Sequence, residues 1–471
     1  MRKVLIMAAA LMVSLPFAKA QDTVASRQAL KLSDKCKIDV YGFVRNYFTY
    51  DSRKTYTVVG GEYNMLPYDV EWNETWARCY NEGVEQVDLN ATPQAQLQAL
   101  TTRVGLNIAG PTILKARSSG KVEADFGGFG TTNTVLRLRL AYMKLNWANK
   151  PGVQHDLLVG QDWHPLSGDI MPEVLGMAAG APFRAHSRTP QLRYTFMHGR
   201  LGFTAAALYQ LQYMYNGPSC PEAGNYRRML NWTSVSSISF AHNAIVPELF
   251  IGVQYRDEHF YSQLGSTCQT LRPRLFGYKA VDYWDDILVP VDEVLTTFTP
   301  TFYFQYTQNK IATKLRLIYA NNTSHVNQPN GYAVVDVVDS KWEYAPLRAA
   351  IGYFNMAYGH RYRANLFLGY MKNLGAAQDL YNSHITGEGV IGWDPYYCIY
   401  MKGGDTFIHL NSAYRVAPSF SYNLPHFNLG VEYEWTACTY GDSFATNGSI
   451  RNYNLRHVAN HRVCLLVKYI F

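Results

Sequence analysis

The sequence predicts an all-β fold: a transmembrane antiparallel β-barrel of about 16 strands, with long external loops and short periplasmic turns. Three observations carry this. The chain opens with an export signal and afterwards has no stretch able to cross a bilayer as a helix. Polar and apolar residues alternate with a period of two along much of its length. Short and long connections alternate between the resulting segments.

Composition narrows the field first. Of 471 residues 48% are hydrophobic and 17% charged, against roughly 25% charged in soluble domains. Aromatics reach 14%, with 36 tyrosines, which excludes long disordered tracts. A mean hydropathy of −0.19 excludes a polytopic helical membrane protein. The net charge of +7 is a weak basic excess, not the dense Lys/Arg loading of a nucleic-acid binder.

Residues 1–20 read as a signal peptide. Arg2 and Lys3 form a charged start, and Val4 to Leu15 is an apolar run too short to span a bilayer. Ala18-Lys19-Ala20 fits small-x-small cleavage, so the mature chain is expected from Gln21, followed by a periplasmic leader over 21–36. No cysteine follows the cut, so no lipid anchor is indicated. The later apolar segments are short and carry charge, as Glu248 does in Ala244 to Val253. In lipid without helices, only a closed barrel satisfies every backbone group.

Alternation then supplies the strands. Lys115, Arg117, Ser119, Lys121, Glu123 and Asp125 take every second position, with Ala116, Val122, Ala124 and Phe126 among the residues between. The same period runs through Arg137 and Arg139, Lys314 and Arg316, Arg361 to Asn365, and Asn428 to Glu434. It places one set on each face of a sheet. Sixteen strands are expected at 38–50, 100–109, 113–125, 134–147, 154–163, 190–198, 200–212, 244–256, 259–272, 297–307, 310–320, 346–357, 361–373, 408–422, 426–437 and 459–471.

Alternation alone also fits a half-buried soluble sheet, and the connections decide. Tight links fall at Gly110-Pro111, Asn149 to Gly152, His198 to Arg200, Asp257-Glu258, Gln308-Asn309, Tyr358 to His360 and Asn423 to Pro425. Between them lie eight long polar segments: 51–99, 126–133, 164–189, 213–243, 273–296, 321–345, 374–407 and 438–458. Keeping every long loop at one end is the habit of outer-membrane barrels. Aromatics recur near strand ends, among them Phe48, Tyr142, Trp147, Trp163, Tyr255, Tyr319, Tyr433 and Trp435, as in two interfacial girdles. In the final strand Val463, Leu465, Val467, Tyr469 and Phe471 share the outward parity, and the chain stops on the aromatic.

At this point a family resemblance can be stated. Tyr41-Gly42-Phe43-Val44-Arg45 and Ser119 to Phe126 look like opening strands of porin-like outer-membrane β-barrel proteins of Gram-negative bacteria. Arg137 to Leu145, Gly160 to Pro165, Ala178 to Pro182 and Arg188 to Arg193 resemble them too, as does the terminal Phe471. The resemblance covers most of the mature chain and places the barrel over 37–471. It implies a water-filled porin in the cell outer membrane, a homotrimer, with a loop folded into the lumen. It also implies that Tyr469 and Phe471 are the signal read by the barrel assembly machinery. The candidate constriction loop is 164–189, whose charged residues are Asp169, Glu173, Arg184 and Arg188. The seven cysteines depart from the pattern.

Those cysteines, in an exported chain, invite staples between neighbouring loops, Cys220 with Cys268 and Cys398 with Cys438. Cys464 sits mid-strand as a small filler. No catalytic or metal motif is found: HExxH, CxxC and GxSxG are absent. His457 and His461 share a strand face but stand ~13 Å apart, too far for one ion. Gly127, Gly128 and Gly130 lack the GK[ST] of a phosphate loop. No enzyme activity, cofactor or metal is expected.

The reading is a pore for passive diffusion of small hydrophilic solutes, with outer-membrane lipid around it and no nucleic acid as partner. Two alternatives stand beside it: a closed surface barrel acting in binding or adhesion, and a secreted soluble all-β carbohydrate-binding protein. If the apolar parity faces lipid, Arg103, Lys115, Arg117, Lys121, Arg137, Arg139 and Arg193 line the lumen together with Glu123 and Asp125. Seven cations against two anions favour anionic solutes, with a mutually compensated lining as the competing possibility.

Overall fold

The computed structural model describes residues 30–33, 36–58, 63–73, 86–128, 135–168, 171–176, 180–219, 234–282, 285–338, 341–381, 410–441 and 445–471. Sixteen strands close into one antiparallel barrel. In chain order they are β1 (Cys36–Asp51), β2 (Arg103–Ile113), β3 (Ala116–Gly128), β4 (Val135–Lys150), β5 (Val153–Trp163), β6 (Arg188–His198), β7 (Leu201–Leu208) and β8 (Glu248–Arg256). The second half is β9 (Phe260–Leu271), β10 (Leu295–Gln308), β11 (Ile311–Asn321), β12 (Arg348–Gly359), β13 (Tyr362–Gly375), β14 (Leu410–Asn423), β15 (Phe427–Gly441) and β16 (Leu455–Ile470).

Each strand pairs with the next, and β16 closes on β1 from Phe43↔Ile470 to Asp51↔Arg462. Closure leaves no sheet edge, the condition for placing a sheet in lipid. The pleat sorts the side chains. Along β10, Leu295, Thr297, Thr299, Thr301 and Tyr303 are buried inward, whereas Thr296, Phe298, Pro300 and Phe302 are exposed outward. Outward apolar residues recur round the wall, such as Val40, Val44, Phe48, Val122, Leu192, Ile251, Leu317 and Leu368. Tyr358, Tyr362, Phe420 and Tyr469 gather near the short-turn end, where amphipathic rings suit the headgroup layer.

All sixteen strands coincide with the segments read from the alternation, and the differences are local. The first tight turn lies at Leu114-Lys115, both at positive φ, not at Gly110-Pro111. Pro111 belongs to β2, whose register with β3 shifts between Ala109 and Thr112. A bulge absorbs the residue that cannot donate to the ladder. The strand read as 200–212 ends at Leu208. Within the leader, Leu30–Ser33 folds back on the start of β1, and Gln94–Gln98 pairs with its far half. The segment 1–20 lies outside the described residues. One of the girdle assignments is corrected. Trp163 is 9% exposed and turns into the lumen beneath two arginines.

The interior is not lined by polar groups alone. Toward the long-loop end Tyr353, Phe367, Met371, Ala413 and Ala417 point inward and are buried. Phe183 of the loop after β5 covers them, together with Tyr332, Val334, Trp342 and Tyr344 of a hairpin formed by Tyr332–Val338 and Lys341–Pro346. Long loops therefore build an apolar core inside the barrel, which a strict apolar-out, polar-in reading does not anticipate.

Candidate functional site

The loop between β5 and β6 is the element that shapes the lumen. Its neck is closed by the His164 N–H on the Ser187 carbonyl (3.0 Å) and the Ser187 N–H on Ser167 Oγ (3.0 Å). From there it crosses to the opposite wall. Lys314 and Arg316 of β11 donate to the carbonyls of Met171 (2.9 Å) and Leu166. The Glu173 N–H donates to Asn355 of β12 (2.8 Å). The N–H groups of Leu175 and Gly176 donate to the two Glu432 oxygens of β15 (2.8 Å each). Arg45 of β1 donates to the Leu175 carbonyl (2.7 Å) and Arg415 of β14 to that of Ala181 (2.8 Å). A loop cannot bury its backbone polar groups without partners, and the inner wall provides them.

The side chains of this loop are equally engaged. Glu173 is held by the Arg363 guanidinium (2.5 and 2.8 Å) and by Lys314 (3.4 Å). Arg184 and Arg188 are fully buried, and their guanidinium carbons stand 4.9 and 4.8 Å from the Trp163 ring centre. Arg139 joins the same ring at 5.8 Å. The fourth charged residue, Asp169, lies outside the described residues.

The remaining wall residues form an acid–base ladder. Glu123 of β3 accepts from Arg139 (2.8 Å) and from the Tyr41 hydroxyl (2.8 Å), and faces Arg103 at 3.5 Å. Asp125, without solvent exposure, takes both Arg137 (2.9 Å) and Arg139 (2.7 Å). Arg193 pairs with Asp162 (2.5 Å), and Lys144, which the sequence reading did not single out, with Asp156 (3.0 Å). Lys121 lies 5.1 Å over the Tyr41 ring, and Arg117 is exposed. Lys115, expected on the wall, stands in the β2–β3 turn at φ 64°. Its left-handed backbone removes it from the strand face. Beneath Pro165 and Gly168 of the loop a cavity of about 130 Å³ remains, lined by Lys144, Asp156, Arg193, Gln254, Arg256 and Arg316 among others.

Asp162 and Asp156, together with Glu434 beside Arg415 (3.3 Å) and Asp51 beside Arg462 (3.9 Å), escaped the sequence reading as counter-charges. Alternation marks the face of a residue but not which cross-strand neighbour meets it. The expected loop staples do not form from the described ends: Cys268 and Cys438 are free thiols, with Cys438 buried in the wall of β15. Cys220 and Cys398 lie outside the described residues. Tyr469 and Phe471 end the chain at the barrel seam. The Phe471 N–H and carbonyl exchange hydrogen bonds of 3.1 Å with Gly42, and the ring lies so close over Gly42 that a Cβ there would stand 2.5 Å from it.

A closed sixteen-stranded antiparallel barrel with a loop across its lumen is the porin fold. Among solved structures, the outer-membrane channel DcaP of Acinetobacter baumannii superposes with a TM-score of 0.59 at 16% identity, over 94% of this chain and 99% of that one. OmpT of Vibrio cholerae gives a TM-score of 0.46 at 11% identity, over 94% and 100% of the two chains. Salmonella typhi OmpF gives 0.45 at 11% identity, with the same coverage. No protein-family model matches the sequence. The curated proteins contain no match either.

Proposed function

We propose that this chain is an outer-membrane porin through which small hydrophilic solutes diffuse passively. The observation that carries the proposal is the loop 164–187, docked by its own backbone across the lumen of a closed barrel beside a polar, charged cavity. A structural barrel has no need of a bonded partition of this kind; a channel uses one to set its bore. The outward apolar band weighs against the secreted soluble alternative. The proposal includes export through a signal cleaved before Gln21, insertion by the barrel assembly machinery on the Tyr469 and Phe471 signal, and assembly as a homotrimer. No chemistry is assigned to the pore.

The finer part of the proposal is a preference for anions. Four of the candidate cations, Arg103, Arg137, Arg139 and Arg193, are partnered by carboxylates, which lowers the field expected from a bare count. The gathering of Arg184 and Arg188 on one indole, where the loop meets the wall, supports a local positive potential. Purified protein in a planar bilayer tests both parts. Defined conductance steps are expected, together with a reversal potential of anion-selective sign across a salt gradient at low ionic strength, where screening is weakest. Absence of conductance would favour the closed surface barrel, for which the apolar core among the long loops speaks. A cation-selective potential would remove the preference while leaving the pore.

A further inference from the structure

We propose that His164, Glu248 and His325 form a binding site for one divalent transition-metal ion, zinc by the character of the donors. The three residues come from separate parts of the chain. His164 is the first residue of the inward loop, Glu248 opens β8, and His325 sits in the 3-10 turn Ser324–Val326 between β11 and β12. All are buried, at 0%, 6% and 1% exposure. His164 Nε2 lies 3.2 Å from Glu248 Oε2, and His325 Nε2 lies 3.1 Å from the same oxygen. The three donor atoms all fall within 4.8 Å of one another.

Ligands about 2.0–2.1 Å from a tetrahedral zinc stand roughly 3.3 Å apart. Both nitrogen–oxygen separations are already close to that edge. The nitrogen–nitrogen separation needs to contract by at most about 1.5 Å, within reach of side-chain rotation. Two imidazoles and a carboxylate suit zinc, and the imidazoles disfavour calcium and magnesium, which take oxygen.

A second observation is independent of this spacing. His164 Nε2 and Glu248 Oε1 are buried without a directed hydrogen bond. Such orphans are rare in proteins and call for a partner. His164 Nε2 stands near the carboxylate, yet its N–H direction does not run to Oε2. A cation seated among the three groups would satisfy both atoms at once, whereas two N–H donors sharing one oxygen leave Oε1 unused.

The surroundings engage both imidazoles. Tyr215 stacks on His325 (4.9 Å, 24°), and the Gln269 amide lies 3.1–3.2 Å from its ring nitrogens. The Leu166 N–H donates to His164 Nδ1 at 3.1 Å, which puts the ring's own proton on Nε2. Metal binding shifts that proton to Nδ1 and turns the Leu166 amide aside. Occupancy is thereby coupled to the first turn of the inward loop. The ion would clamp loop neck, barrel wall and a neighbouring long loop together, a structural role with no reaction attached. It does not depend on whether the lumen conducts.

The test uses the full chain, purified in detergent, stripped with a chelator and dialysed against Zn²⁺. Bound zinc is counted by mass spectrometry, and Co²⁺ replaces it as a spectroscopic probe. One zinc per chain is expected, with visible Co²⁺ bands of low coordination number. His325→Ala and the isosteric Glu248→Gln should each lose that one equivalent, and His457→Ala should keep it. Equal zinc in the parent and in Glu248→Gln would overturn the proposal, as would a parent that holds none. Should the variants fail to fold, Zn K-edge absorption of the unmodified protein decides. Scattering from two imidazoles supports the site, and a shell of oxygen alone refutes it.

Discussion

Phe183→Ala isolates the docking of the inward loop from the integrity of the barrel. The ring has no solvent exposure and packs 6.4 Å from Phe367 and under the Arg415 guanidinium at 5.3 Å. It also fills the space left by Gly369, where a Cβ would stand 2.5 Å from the ring. Removing a buried phenylalanine costs about 3–5 kcal/mol. Because Phe183 lies outside the strand ladder, that cost falls on the equilibrium between docked and undocked loop. At about 1.4 kcal/mol per factor of ten, the undocked population should rise by roughly two to three and a half orders of magnitude. The polar anchors on Glu432 and Arg415 remain, so the loop should open more often rather than leave. Single-channel recording is the assay: brief upward current excursions about a hundred times more frequent, at normal levels of heat-modifiable barrel. Gly369→Ala should give the same phenotype from the wall side. Parental current noise in Phe183→Ala, with the barrel intact, would refute the reasoning.

Other outcomes follow from the same contacts. Asp125→Asn keeps the shape but uncouples two guanidiniums from a fully buried carboxylate. Breaking such a pair costs about 3–5 kcal/mol, so the variant should unfold at lower temperature on gels and shift its reversal potential toward anions; an unmoved potential would place Asp125 off the conduction path. Deleting Phe471 removes its two backbone bonds to Gly42, and changing it to Asp removes the ring that lies over Gly42; either change should lower the amount of heat-modifiable barrel in the outer membrane. In the first long loop, burial alone would raise the Asp88 carboxyl, but the Arg53 guanidinium and the N–H groups of Glu71 and Asn90 outweigh it and hold it below the usual range. A depressed carboxyl contributes stability above its unfolded pKa and loses it as pH falls through the folded one. Proteolysis of this loop should therefore accelerate below about pH 4, and Asp88→Asn should remove that step.

The sixteen strands were legible because lipid on one side and protein or water on the other imposes a period of two that few turns disturb. Where a bulge intervened, the reading slipped. Gly110-Pro111 has the composition of a turn, yet the chain reverses at Leu114-Lys115, a pair without the Asn-Gly chemistry such turns favour. Site residues were legible by face and not by partner. Arg139 was placed on the inner wall, but its bonds to Glu123 and Asp125 depend on a register shift between β3 and β4. His164, Glu248 and His325 could not be associated from sequence at all: 84 and 77 residues separate them, and the fold alone brings them together.

Beside its side-chain contacts, the inward loop is held by its main chain. Six carbonyl and N–H groups, on the five residues Met171, Glu173, Leu175, Gly176 and Ala181, meet side chains of Lys314, Asn355, Arg45, Glu432 and Arg415. Recognition of this kind is blind to the side chains the loop carries. A change of side chain at Met171 leaves its carbonyl bond to Lys314 in place, so selection on permeability keeps some freedom there. The burden of keeping the loop in place passes to a few wall residues hundreds of positions away. Lineages descended from such a barrel would diverge fastest in what they admit and slowest in how they hold the partition.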